Sequence, residues 1–443
     1  MESLFLVSQL IFKVNNMNKE NLARYFQFAL VILAGGSIFP LVYLKAQYQE
    51  TILEVFSMSM GQMNTIYTIL GFVFLIGYFP SGVLCDRFSA KKLLAVSLLG
   101  TAAGGFWFAQ VPSYTSVLII FAIWGFSSVF TFWGAHLKIT KMLAKEGEEG
   151  RFFGILDGGR GLVEAVLASI GLVIFTSVLG GSIEFSDKKQ ALESVIYMYS
   201  IALVIAAVLI MIFVKEDKEV TAATSEDSKI KLSDIGKVFK NKLVYLHGLI
   251  IFAGYTIFWT SYYIGGYLQT SLGFDAVTVG SMMVGLLWMR PIGGVLGGFL
   301  ADKLGQANTI AAGILGGVVC LGALVVAPSS LPTYLITALV MVTGLFSYII
   351  RGTYWSLLGQ SKIDAAIMGT AIGVISVVGY IPDIIIPEMN TVLWDIYGNE
   401  GGYHAYFIVS MMVGLVGFVL TMLYKREQKK TSEVSFKSDN EKL

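Results

Sequence analysis

Three arginines interrupt long apolar stretches of this sequence, where a charge is costly. Arg160, Arg290 and Arg351 each lie within a run of about 20 mostly apolar residues, long enough to cross a bilayer as a helix. A charged side chain in such a run usually faces a cavity or a partner. A guanidinium can hold a carboxylate, sulfonate or phosphate through two parallel hydrogen bonds. The chemistry that these residues could perform is therefore the binding of an anion.

Acidic residues accompany one of the arginines. Asp157 and Glu164 precede and follow Arg160 by three and four positions, so all three share a helix face. Arg290 and Arg351 have no acidic residue within four positions. Three arginines against two acids leave one positive charge uncompensated, which favours an anionic ligand. The alternative is that the arginines form structural ion pairs, for example between Arg290 and Glu164.

The depth of each arginine follows from the helical rise. At about 1.5 Å per residue, Arg160 lies roughly 14 Å from the near end of its run, Arg290 roughly 18 Å and Arg351 roughly 16 Å. In a hydrocarbon core about 30 Å thick, these values place all three near the midplane. We expect them to share one cavity at that depth.

Aromatic side chains in the same runs could stack on the apolar or ring-shaped body of a ligand. Trp259, Tyr262 and Tyr263 follow at helical spacing and are expected to share a face. Trp133 and Tyr354 are candidates in two other runs. Because Trp and Tyr also anchor helix ends at the membrane interface, anchoring is the alternative role for part of this set.

Two acids are candidates for binding a coupling proton. Glu164, roughly 20 Å from the near end of its run and one turn from Arg160, fits best. Asp383 lies roughly 27 Å along its run, which places it near the outer surface and favours a role as a gate or surface charge. A permanent ion pair between Glu164 and an arginine would remove the coupling role of Glu164.

The composition places most of the chain in lipid. Of its 443 residues 55% are hydrophobic and 14% charged, more apolar surface than a soluble fold could bury. The net charge of +1 offers no footprint for nucleic acid, and the two cysteines and three histidines suggest neither a disulfide nor a metal site. We therefore expect no cofactor.

Twelve apolar runs are long enough to cross a bilayer, so we predict an all-α integral membrane protein with two six-helix halves. The predicted helices are 23–44, 62–84, 93–111, 115–138, 152–180, 192–214, 243–268, 276–300, 308–328, 333–357, 365–386 and 403–424. In chain order the predicted parts are an amino-terminal segment 1–22, a bundle 23–214, a linker 215–242, a bundle 243–424 and a tail 425–443.

The distribution of basic residues predicts the orientation. Outside the helices, only Lys45, Lys188 and Lys189 among the 31 lysines and arginines lie in connections opposite the termini. By the positive-inside rule, both termini and the linker are expected in the cytoplasm, with the helices in the plasma (inner) membrane.

A short charged turn occurs once in each half. The second run closes with Gly82–Arg87 (GVLCDR) and the eighth with Gly298–Lys303 (GFLADK). Both have the order glycine, any residue, leucine, small residue, aspartate, basic residue. This repeat resembles the loop 2–3 signature of the major facilitator superfamily, with Ser89 at a position where that family usually has glycine. The resemblance implies two pseudo-symmetric six-helix halves around a central cavity.

The resemblance also implies roles for individual residues. Asp86 and Asp302 would each contact a helix N-terminus of the opposite half and hold the cytoplasmic side closed. Arg87 would be either a hydrogen-bond partner in that latch or a plain positive-inside determinant. Arg290 before Pro291 resembles the anion-binding helix of nitrate and organic-anion members. The second arginine that nitrate carriers place in helix two is missing, which favours an organic carboxylate or sulfonate, such as a sugar acid, over nitrate.

We therefore expect a monomeric secondary carrier that moves a small organic anion across the lipid bilayer by alternating access. Proton symport is favoured over exchange with a counter-anion. The alternatives are an exchanger for phosphorylated or inorganic anions, and an anion-binding membrane sensor. No arrangement of nucleophile and base or of metal ligands appears in the sequence, so an enzyme is not expected.

Overall fold

The computed structural model describes residues 19–144, 149–215, 241–360 and 368–440. Within these ranges the chain is helical apart from short connections, without a β-strand, as the predicted all-α class requires. Ten helical stretches in the described ranges are long and apolar enough to cross a membrane.

The ten stretches and the twelve predicted helices differ at two places. The third predicted helix is present as Ala90–Phe108 but is not among the ten, because Lys91 and Lys92 lower its mean hydropathy. The eleventh and twelfth lie in one stretch, Val374–Lys430, which is interrupted at Tyr380 and Ile381 and again at Gly398, whose φ is 71°.

The first half contains eight described helices and one π-helical turn, Phe126–Phe130. The helices are α1 (Lys19–Val42), α2 (Lys45–Val55), α3 (Met60–Arg87), α4 (Ala90–Phe108), α5 (Tyr114–Gly125), α6 (Trp133–Leu143), α7 (Glu149–Leu179) and α8 (Phe185–Phe213).

The second half contains seven described helices and a 3₁₀ helix, Tyr354–Gln360. The helices are α9 (Lys242–Trp259), α10 (Ser261–Thr270), α11 (Ala276–Leu304), α12 (Gln306–Val326), α13 (Thr333–Thr353), α14 (Met368–Gly379) and α15 (Pro382–Asn440). The predicted linker lies almost wholly outside the described residues, and the last helix continues into the predicted tail.

Two of the predicted membrane helices contain a break. The first is broken after Val42, and α2 resumes at Lys45. The expectation that Lys45 lies in an external connection is therefore wrong, and its side chain is fully buried. The seventh predicted helix is broken at Thr260, whose hydroxyl donates to the Ile257 carbonyl over 2.6 Å. Each interruption re-aims the side chains that follow it.

Each half has its own apolar core and an apolar exterior. In the first core Phe108 and Trp124 pack edge to face, with ring centroids 5.3 Å apart, and the Trp124 indole donates to the Thr101 carbonyl. In the second core Tyr263 and Tyr406 pack in the same way at 5.0 Å. Apolar side chains are also exposed around the outside of the bundle, including Val96, Ile212, Val319 and Val416. Such a surface is suited to contact with lipid.

The path of the chain shows which helix ends lie on the same side of the bundle. The Lys215 amide, at the linker, donates to Gln27 near the start of α1, so these two ends lie on one side. We call the opposite side the distal side. There α2 packs on α10 and the start of α3 packs on α15. Tyr263 donates to the Asn64 amide oxygen over 2.9 Å, one of the hydrogen bonds that close the distal side.

Candidate functional site

A cavity of about 540 Å³ lies between the two halves. Its walls come from α1, α2, α3, α6 and α7 of the first half and from α9, α10, α11, α13 and α15 of the second. All three predicted arginines reach it, as do three acids, so the charged lining consists of Asp157, Arg160, Glu164, Arg290, Arg351 and Asp383.

Arg290 is neutralised across the interface between the halves. It forms a hydrogen-bonded ion pair with Glu164 of α7, and its Nη2 lies 3.7 Å from Oδ1 of Asp157. Gly161 makes room for this contact, because a Cβ there would lie 2.7 Å from Cγ of Arg290. The structural alternative considered for Arg290, pairing with Glu164, is thus the arrangement in this structure.

Arg160 is held by the first half without a carboxylate partner in the described parts of the chain. Its Nε donates to the Gly35 carbonyl over 3.2 Å, and the side chain is buried. The guanidinium carbon lies 5.7 Å from the ring centroids of both Phe39 and Trp133, within the range of a cation–π contact. Arg160 is therefore fixed in position while its positive charge is not paired.

Arg351 is the least compensated cation of the cavity. Its guanidinium carbon lies 4.2 Å above the Phe258 ring and 5.8 Å from that of Tyr255. Nη1 is buried without a hydrogen-bond partner, and no carboxylate of the described residues lies within 4.0 Å of this side chain. A buried donor in this condition costs free energy until an acceptor reaches it.

Asp383 faces the cavity, and the expectation that it lies near the outer surface is wrong. It is 4% exposed, and its Oδ1 accepts hydrogen bonds of 2.8 Å from both Tyr255 and Trp259. Its depth was estimated along a continuous helix, whereas the chain breaks between α14 and α15 at Tyr380 and Ile381.

The position of Asp383 changes the charge balance. With it, three arginines face three acids, so the expected residual positive charge of the lining does not hold. What remains is an uneven distribution. Asp157 and Glu164 both serve Arg290, whereas Arg160 and Arg351 have no ion-pair partner among the described residues.

Only part of the predicted aromatic set lines the cavity. Tyr262, Trp133 and Tyr354 do, and Tyr262 stacks on Tyr43 with ring centroids 4.5 Å apart. Trp259 and Tyr263 are 1% and 0% exposed and lie in the distal contact instead. The helix break at Thr260 separates the face of α9 from that of α10, so the expected common face is not presented to the cavity.

Further aromatic residues complete the wall of the second half. None of these residues is among the predicted site residues. They are Tyr255, Phe258, Tyr348, Trp355 and Tyr380. Tyr348 precedes Arg351 by three positions, a spacing that places both on one helix face and was a usable signal. The Trp355 indole donates to the Tyr380 hydroxyl over 3.0 Å, which orders this wall.

Two of the predicted gating residues lie away from the cavity. Arg87 and Asp302 are exposed at the ends of α3 and α11. The side chain of Asp86 and the start of the eleventh predicted helix are outside the described residues, so the latch stays a prediction. Ser89, at the position where glycine was expected, accepts a hydrogen bond from the Lys92 amide and caps α4.

Two helical halves around a polar, aromatic cavity in a lipid-exposed bundle define a membrane carrier. The chain belongs to the Major Facilitator Superfamily, whose family model matches residues 25–387. It is a small-molecule transporter rather than an enzyme, and it is embedded in the membrane by multiple helices.

Comparison with known proteins agrees with this assignment. Inner membrane protein YqcE of Escherichia coli is 27% identical over 84% of this chain and 87% of its own length. Inner membrane protein YihN of the same organism is 26% identical over 92% and 97%. The cis,cis-muconate transport protein of Acinetobacter baylyi is 25% identical over 83% and 86%.

Solved structures share the fold at low sequence identity. The nucleoside transporter NupG (D323A mutant) superimposes with a TM-score of 0.71 at 14% identity, over 90% of this chain and 99% of its own. A bacterial homolog of the human lysosomal transporter Spinster, described as inward-facing and unoccupied, gives 0.70 at 12% identity, over 92% and 98%.

Proposed function

We propose that this transporter is a secondary carrier that moves a small organic anion by alternating access, with a carboxylate or sulfonate bound at Arg351. The observation that supports it is the buried Nη1 of Arg351, which has neither a hydrogen-bond partner nor a nearby carboxylate in the described chain. An anionic oxygen is the acceptor that would compensate this group best. Arg160, the other cation without a carboxylate, supplies positive potential from the opposite wall.

The walls support an organic rather than an inorganic anion. Phe258 and Tyr262 are aromatic faces toward the cavity, and about 540 Å³ exceeds what a nitrate or nitrite ion would fill. Apolar or ring-shaped substrate bodies pack well on such faces. The relative named for transport of cis,cis-muconate, which is a dicarboxylate, is consistent with this class of substrate.

We assign proton coupling to Asp383 rather than to Glu164. Glu164 is held in its ion pair with Arg290, the condition that removes the role expected for it. Asp383 is buried with two neutral hydrogen-bond donors and no cation within 4.0 Å among the described residues. A buried carboxylate in such surroundings can lose its charge by taking up a proton.

The experiment is a thermal-shift screen of detergent-purified protein against cis,cis-muconate, glucuronate, a small alkyl sulfonate, a nucleoside and an alkylammonium. A ligand that binds the native state raises Tm with concentration. We expect an organic anion to stabilise the wild type and to lose its effect in Arg351→Ala, with a smaller loss in Arg351→Lys, because lysine keeps the charge but not the planar fork.

Arg426→Ala is the matched control, since Arg426 is exposed on α15 away from the cavity. It should respond like the wild type. Stabilisation by the nucleoside or the alkylammonium alone, or an anion response that survives in Arg351→Ala, would contradict the proposal.

A further inference from the structure

Lys45 is a fully buried lysine at the contact between the halves. Its side chain is 0% exposed, and its Nζ has no hydrogen-bond partner. No ion pair to it exists within the described ranges. A lysine buried in this way is uncommon, because the ammonium loses its hydration without gaining a counter-charge.

Aromatic faces surround the ammonium instead. Nζ lies 3.9 Å from the ring centroid of Tyr263, 4.2 Å from that of Tyr67 and 5.5 Å from that of Trp259. All three distances are within the range of cation–π attraction, which is strongest at desolvated sites. Tyr67 donates its hydroxyl to the Val42 carbonyl and Tyr263 to Asn64, so two of the rings are fixed in orientation.

The enclosure is shared between the halves. Lys45 and Tyr67 belong to the first half, and Trp259 and Tyr263 to the second. Any motion that opens the distal side separates α2 from α10 and so withdraws Tyr263 from the ammonium. Opening would admit water to Lys45 in exchange.

We propose that Lys45, enclosed by Tyr67, Trp259 and Tyr263, is the latch of the distal gate. The closed gate gains the cation–π contacts, and the open gate gains the hydration of the ammonium. Because these two terms oppose each other, the latch closes the gate without locking it, as a transport cycle requires. The proposal rests on the transport activity of the family and is independent of the charge of the substrate.

Trp259 connects this latch to the central cavity. Its ring faces Lys45, while its indole N–H donates to Asp383 over 2.8 Å. A change of hydrogen bonding at Asp383 therefore reaches the gate through a single side chain.

The test is a double-mutant cycle read out as a distance across the distal side. Spin labels are placed at Ser186→Cys and Ser329→Cys, both exposed, one in each half, while the native Cys85 and Cys320 are buried. Pulsed electron paramagnetic resonance on the full chain in lipid nanodiscs then gives the populations of short and long distances, which report the closed and open gate.

Tyr263→Phe keeps the ring but loses the hydrogen bond to Asn64, so it is the reference that isolates the ring itself. Relative to Tyr263→Phe, Tyr263→Leu is expected to raise the ratio of open to closed gate at least about fivefold when Lys45 is present. In the background of Lys45→Met the same comparison of Leu with Phe should give a change of less than about twofold, since the cation is gone. An equal shift in both backgrounds, or no shift in either, would overturn the latch.

Discussion

Glu164 of the first half and Arg290 of the second form an ion pair that joins the two walls of the cavity. Both side chains are mostly buried, at 15% and 10% exposed. Asp157, at 3.7 Å, adds a second negative charge to the same guanidinium. The pair therefore holds α7 and α11 together at the cavity and keeps Arg290 from acting as a free anion site.

Breaking this pair from one side should destabilise the protein. Glu164→Gln leaves a mostly buried guanidinium with only Asp157 nearby, and we expect a loss of about 3 kcal/mol in the free energy of unfolding. Glu164→Gln combined with Arg290→Gln should recover most of it. Unfolding in mixed detergent–SDS micelles gives these values.

The exposed pair between Glu54 and Lys188 is the control for that comparison. Its atoms approach to 2.8 Å, but the side chains are 43% and 27% exposed. Glu54→Gln should therefore cost about 1 kcal/mol or less. A comparable loss at both pairs would show that burial at Arg290 has no special weight.

Gly71 should be intolerant of a side chain. A Cβ there would lie 2.5 Å from the backbone oxygen of Asp383 in the opposite half. Gly71→Ala is expected to force α3 and α15 apart, at a cost of about 1–3 kcal/mol for overpacking, and to lengthen the distal distance in the spin-label measurement. Gly294→Ala meets nothing within 4 Å and should be neutral or stabilising by about 0.5–1 kcal/mol.

Asp383→Asn should separate coupling from binding. Asparagine can still accept hydrogen bonds from Tyr255 and Trp259 but cannot take up a proton. We expect accumulation of the substrate anion in proteoliposomes under an imposed proton gradient to fall to the level seen without a gradient, while exchange of labelled for unlabelled anion continues. If accumulation persists in Asp383→Asn but is lost in Glu164→Gln, the proton-binding site is not Asp383.

Asp275 caps α11, and its contribution should depend on pH. Partial burial raises the pKa of this carboxyl, but hydrogen bonds from the Thr278 hydroxyl and from the amides of Val277 and Thr278 outweigh that effect and lower it overall. A lowered folded-state pKa means that the stabilisation is present above the ordinary aspartate pKa and is lost as pH falls through the folded value.

Asp275→Ala should therefore cost about 0.5–2 kcal/mol near neutral pH and less in acid. Asp275→Asn retains a capping oxygen without the titration, so its stability relative to the wild type should improve as the pH falls. A cost of Asp275→Ala that does not change between pH 7 and about pH 3 would contradict this account.

Residue counting along the sequence brought Arg160 and Arg290 to one cavity because α7 and α11 run unbroken past them. The same counting misplaced Asp383, since it assumes a continuous helix and the chain breaks before that residue. Lys45 was misplaced because the first apolar run was taken to end at residue 44, whereas the helical stretch continues to Val55. Local sequence signals at helix breaks, such as Pro382 at the start of α15, do not show how far the following side chains are rotated. The same holds for Thr260, the single residue between α9 and α10.

The sequence offered the pair of Arg290 with Glu164 only as one of two alternatives and could not decide between them. The acidic residues around Arg160 suggested a local triad, whereas in the fold Asp157 and Glu164 serve Arg290. Which arginine the two acids pair with depends on how α7 packs on α11. It depends in particular on Gly161, where a Cβ would collide with Arg290. The duplicated turn identified the family without such knowledge, because a motif requires only local residue order.

The enclosure of Lys45 also bears on biosynthesis. Tyr67 is made soon after Lys45, whereas Trp259 and Tyr263 enter the membrane only after the linker has been synthesised. Until then the ammonium lacks two of its three rings. The enclosure of Lys45 is therefore completed only when α9 and α10 have been made and pack against the first half.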